Sequence, residues 1–100
     1  SGMPEASGPT VSYLGSDQTH SPAGMLAAQL ILDEVEAALA TRGRLQRLSV
    51  SMLRETRMPA VLVEPAFATN EQEAALIADP VFAERVGRAV AAGVSRYFAG

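Results

Sequence analysis

The sequence predicts an α/β fold, and three observations carry that prediction. The first is Ala60-Val61-Leu62-Val63, a continuous apolar run between Pro59 and Pro65. Its length and its flanking turn signals suit a strand buried on both faces, the kind found inside a parallel sheet. The second is the segment after Ser21-Pro22, where Met25, Ala28, Leu32, Val35 and Leu39 recur at the spacing of an amphipathic helix. The third is order. Strand-like and helix-like stretches alternate, which predicts parallel pairing between the first strand and the apolar run, with a helix in the crossover.

Taken from the start, residues 1–9 read as a disordered tail rich in Ser, Gly and Pro, and residues 10–100 as one domain-sized stretch. Ser1-Gly2 ahead of Met3 has the look of a cloning remnant and is set aside. Thr10 to Leu14 alternates as a short strand, with Val11 and Tyr13 sharing a face. Gly15 to His20 is a polar loop. Ser21 is a good N-cap and Pro22 a good first helical residue. Ile31 and Ala38 widen the apolar stripe of that helix, and Gln29, Asp33 and Glu36 fall on its opposite side. Gly43 is the expected C-cap, with Arg42 and Arg44 near the negative end of the helix dipole.

Leu45 to Val50 reads as an extended segment and Met52 to Thr56 as a short helical turn. Pro59 opens the next strand and Pro65 stops it. Asn70 and Glu73 have the spacing of an N-cap and its reciprocal partner, which predicts a helix from about Glu71 to Ala78. Asp79-Pro80 repeats the start signal. The last helix then buries Phe82 or Ala83, Val86, Ala89 or Val90, Gly93 or Val94, and Tyr97. Glu84, Arg85, Arg88 and Arg96 belong to its wet side. Gly87 and Gly93 each lower helix propensity by roughly 1 kcal/mol relative to Ala, and they read as points of close packing against the sheet. Two or three strands make a poor sheet, so more chain or a partner is expected.

Composition removes several function classes. A net charge of −3 and a pI near 5.0, with no basic patch, argue against nucleic-acid binding. No apolar run is long enough to span a bilayer. With no cysteine, disulfides, cysteine-zinc sites and thiol catalysis are excluded. His20 is the single histidine, so one copy of the chain cannot supply two His ligands. As a residue just before a helix it reads as a surface loop position; the sharper alternative is a metal ligand shared across a dimer. Glu64 is the anomaly, a charge at the end of an apolar strand. It either caps the strand and reaches water or an Arg, or serves a site outside a strand end, where open α/β sheets bind ligands.

Leu53-Arg54-Glu55-Thr56-Arg57-Met58-Pro59-Ala60-Val61-Leu62-Val63-Glu64, followed by Phe67, Asn70 and Glu73, resembles the C-terminal half of the zinc-dependent N-acetylmuramoyl-L-alanine amidases of the amidase 3 type. The family pattern is Leu-Arg, a Thr, a Pro-Ala-Val-Leu-Val-Glu strand, then Gly-Phe, Ser-Asn and a Glu-led helix. The resemblance implies hydrolysis of the amide between the lactyl group of N-acetylmuramic acid and L-alanine in peptidoglycan. It implies a zinc held by two His and one Glu from the N-terminal half of the domain. It implies that Glu64 is the second, water-activating carboxylate. Arg54 is a candidate contact for a substrate carboxylate, since a guanidinium fork suits planar anions. Asn70 reads as a helix cap.

Two departures stand out. Ala66 replaces the family's Gly, and Pro65 replaces an apolar residue. The zinc-ligand half is also missing, so the chain alone is expected to bind no zinc and to leave peptidoglycan intact. The whole enzyme is expected in the cell envelope or outside the cell. The alternative is a non-catalytic wall-binding or regulatory module on the same scaffold, although a pure binder has no need of the Glu64 carboxylate. Homodimerisation through a bare sheet edge or apolar helix face is a further expectation.

Overall fold

The computed structural model describes residues 8–14, 22–48, 60–66 and 71–100. The elements in chain order are β1 (Thr10–Leu14), α1 (Pro22–Leu39), β2 (Arg44–Leu48), β3 (Val61–Glu64), α2 (Glu71–Ile77) and α3 (Pro80–Ala99). The extended segment after Gly43 is therefore a strand, and both predicted late helices are present. The predicted turn at Met52 to Thr56 lies outside the described residues.

The fold is α/β, but its small sheet is mixed. Strand order is β2-β1-β3. β1 runs parallel to β2, with Val11 opposite Leu45, so β1-α1-β2 is the crossover unit. β3 lies on the other side of β1 and runs antiparallel, with Val11 opposite Val63. The expected parallel pairing of β1 with the apolar run is thus corrected. An apolar run specifies burial and carries no direction. Its burial is also less than expected: Val61, Leu62 and Val63 are half-buried, because β3 forms a margin of the described sheet.

One face of the sheet carries the core. Val11, Ala28, Ile31, Leu32, Val35 and Ala89 form a buried cluster, with Tyr13, Leu45, Val61 and Val63 packed against it. Ala28, Leu32 and Val35 are the inward positions that the helical period assigns, while Met25 at the first turn is 40% exposed. α3 buries Phe82, Val86, Ala89 and Gly93 and packs along α1. A side chain at Gly93 would begin 2.5 Å from the Ile31 Cα. The absence of a Cβ is what lets the two helix backbones approach. Gly93 therefore meets α1 and not the sheet, and a side chain at Gly87 would meet nothing within 4 Å among the described residues.

The helix ends differ from the sequence reading in one respect. Asp79 caps α3 as predicted, accepting from the Val81 N–H at 2.9 Å, with Pro80 next. α1 instead ends at Leu39 with Ala40 in the left-handed region, at φ 52°. The Thr41 N–H then donates to the Glu36 carbonyl at 3.2 Å, the six-to-one bond of a Schellman ending. Gly43 comes three residues too late to be the cap. Its own N–H donates to the Glu36 carboxylate at 2.6 Å. A Cβ there would sit 2.6 Å from the Pro9 carbonyl oxygen. Glu36 thus faces the loop, not only water.

Gly8 and Pro9, placed by composition in the tail, are buried parts of the fold. The Pro9 carbonyl accepts from the Arg44 N–H at 2.8 Å. No described helix is long and apolar enough to cross a membrane.

Candidate catalytic carboxylate at the end of β3

Side chains alternate across a strand. Since Val11, Leu45 and Val63 point to the helices, their neighbours Thr10, Arg44 and Glu64 point to the other face. Register confirms the row: Thr10 is opposite Arg44 on one side and opposite Glu64 on the other. One step along, Ser12 is opposite Gln46 and Leu62. Neighbouring strands lie about 4.8 Å apart, so a cation, a hydroxyl and a carboxylate stand side by side at one end of the sheet. That end is the carboxyl end of β3 but the amino end of β1 and β2. The general placement of ligands at the carboxyl ends of parallel strands therefore does not locate this site.

Glu64 is the last residue of β3 and is exposed. Among the described residues no hydrogen bond or ion pair engages its carboxylate, whereas Glu34 and Glu84 are held by Arg96 and Arg88. The strand-cap reading that pairs Glu64 with an Arg finds no such partner among these residues.

The hydroxyls beside it behave oppositely. Thr10 is 4% exposed and Ser12 is fully buried, and neither Oγ atom has a hydrogen-bond partner among the described residues. An unmatched buried polar group costs about 1–3 kcal/mol. Sequence reasoning noticed only the Val11 and Tyr13 side of this strand. The available signal was Thr-x-Ser in alternation with Val11, which puts two hydroxyls on the face that carries Glu64.

The other predicted positions divide as follows. Glu73, read as the partner of a capping box, accepts from the Gly8 N–H at 2.6 Å and ties α2 to the entrance of β1. Arg54, His20 and Asn70 lie outside the described residues. Among the described residues no three His, Cys, Asp or Glu side chains gather as a metal would need. A catalytic zinc takes three protein ligands and leaves one position open, and these residues do not fit it. Two of the cavities lined by described residues lie against the helices. One of about 350 Å³ is lined by Ile31, Val61, Val63, Val94, Tyr97 and Phe98. One of about 180 Å³ is lined by Pro9, Pro65, Ala66, Glu73, Phe82 and Arg85. Glu64 is on the wall of neither.

Comparison with known proteins gives this geometry a context. The family model for N-acetylmuramoyl-L-alanine amidase matches residues 1–96. The amidase AmiC of Neisseria meningitidis is 36% identical over 56 residues, which is 56% of this chain and 14% of AmiC. The amidase LytC of Bacillus subtilis is 29% identical over 96 residues, or 94% of this chain and 19% of LytC. The solved catalytic domain of CwlV, an N-acetylmuramoyl-L-alanine amidase from Bacillus (Paenibacillus) polymyxa, superposes with a TM-score of 0.82 at 27% identity. That match covers 98% of this chain and 52% of the CwlV chain. The chain thus spans less than a fifth of the curated relatives and about half of the solved domain. With the family model matched over residues 1–96, this chain belongs to the N-acetylmuramoyl-L-alanine amidase family of the amidase 3 type.

Proposed function

We propose that these residues supply the catalytic carboxylate of a peptidoglycan amidase, and that Glu64 is that carboxylate. The carrying observation is the exposed Glu64, unpaired among the described residues, at the end of β3 and on the face away from the core. In this reading Glu64 takes a proton from the water that adds to the lactyl carbonyl of N-acetylmuramic acid. It returns that proton to the L-alanine nitrogen as the C–N bond breaks. One group acts as base and then as acid. Pro65 fixes the backbone directly after it, which suits a carboxylate that has to be held still. Arg54 is proposed to contact a carboxylate of the peptide stem.

The zinc that the family resemblance implies does not fit the described residues, and a chain with one histidine cannot provide a two-His set. We therefore assign the metal ligands to a part of the enzyme outside these residues, and these residues to the C-terminal half of the domain. The test is cleavage of purified muropeptides. Supplied with zinc, the 100 residues alone are expected to show no turnover; turnover would overturn the assignment of the ligands. In the whole enzyme Glu64→Gln keeps the shape and removes the proton acceptor. Its kcat is expected to fall by about 10²–10⁴.

A further inference from the structure

Resting on that reading of Glu64, we propose that Thr10 is a positioning residue whose hydroxyl donates to the Glu64 carboxylate when substrate is bound. Thr10 and Glu64 are directly opposite each other on antiparallel strands and share a face. Side chains so placed have Cβ atoms about 4.5–5.5 Å apart, within reach of one another. Thr10 is 4% exposed, and its buried hydroxyl has no hydrogen-bond partner among the described residues, so its proton is uncommitted there.

Thr10 has two cross-strand neighbours, Arg44 and Glu64. A guanidinium carries donors only. Of the two, Glu64 alone can accept the hydroxyl proton. A turn about χ1 between staggered positions redirects the Oγ–H along the sheet. In the free protein water competes for the exposed carboxylate. Substrate lying over the strand end displaces that water, and the buried hydroxyl is then the donor at hand. Hydrogen bonds of this kind often tighten only once substrate is in place.

Ser12 provides the internal control. Its hydroxyl is fully buried and equally unmatched, but it stands opposite Gln46 and Leu62, with no carboxylate beside it. If both hydroxyls are merely tolerated, Thr10→Val and Ser12→Ala behave alike. The experiment measures muropeptide hydrolysis and thermal melting of the whole amidase for Thr10→Val, Thr10→Ser, Ser12→Ala and Glu64→Gln.

A hydrogen bond to a charged group predicts that Thr10→Val lowers kcat by about ten- to hundredfold, with KM little changed and the melting temperature at or above that of the parent. Thr10→Ser restores most of the rate, and Ser12→Ala leaves kcat unchanged. Where valine is not accommodated, Thr10→Ala carries the same comparison. A Thr10→Val rate within about twofold of the parent overturns the proposal, as does a Thr10→Ser variant no better than Thr10→Val, or an equal loss in Ser12→Ala. Full activity of Glu64→Gln instead overturns the reading of Glu64 itself, so the two failures are told apart.

Discussion

The two faces of the same three strands follow different rules. On the helix side, Val11 is fully buried and Val63 and Leu45 pack against the same cluster, all of them apolar. On the other side stand Thr10, Ser12, Arg44, Gln46 and Glu64, where two buried hydroxyls go unmatched and a carboxylate is exposed. On the proposed reading of Glu64, the contrast teaches how a small sheet separates holding from reacting. One residue of shift along a strand exchanges the two roles. Substitutions on the helix side are therefore expected to move the melting temperature and leave turnover per folded molecule alone. Substitutions of Glu64 and Thr10 are expected to do the reverse.

The largest effect on the holding side is expected at Gly93. Its Cβ would begin 2.5 Å from a backbone carbon of α1, and backbone cannot step aside as a flexible side chain does. Gly93→Ala is expected to destabilise by about 3 kcal/mol, read by chemical denaturation. An effect below about 1 kcal/mol would show that the helix contact yields freely, and the comparison would lose its rigid half.

Ala40 comes next. It holds the left-handed conformation that ends α1, which costs a residue with a Cβ roughly 1 kcal/mol. Ala40→Gly is expected to stabilise by about that amount or somewhat less, since glycine also loses more freedom on folding. Gly87→Ala should likewise gain up to about 1 kcal/mol, because the helix gains propensity and the new methyl meets nothing. Both variants sharpen the comparison further: in the whole enzyme their kcat should match the parent. A change in kcat from either would mean that the helix side feeds into the reaction.

Much of this was legible in the sequence. The period of α1 and the Asp79-Pro80 start of α3 rest on local chemistry, and both are found. Glu64 was legible as a charge ending an apolar run. Strand direction was not legible, because Val61, Leu62 and Val63 look the same from either end. The α1 ending was misread because Gly43 is the natural left-handed residue, while its actual duty is to clear the Pro9 carbonyl. Gly87 and Gly93 have the same propensity, and only the distant Ile31 tells them apart. The Thr10 and Ser12 hydroxyls stayed hidden for a related reason: their burial depends on what the rest of the fold places around β1, which no local pattern announces.

The most direct measurement is turnover and melting of the Glu64→Gln enzyme in the same preparation. The account predicts a fall in kcat of about 10²–10⁴ with a melting temperature unchanged within about 2 °C, because Glu64 has no partner to lose among the described residues. Turnover within about twofold of the parent, or a loss that appears only because the protein no longer folds, would contradict it.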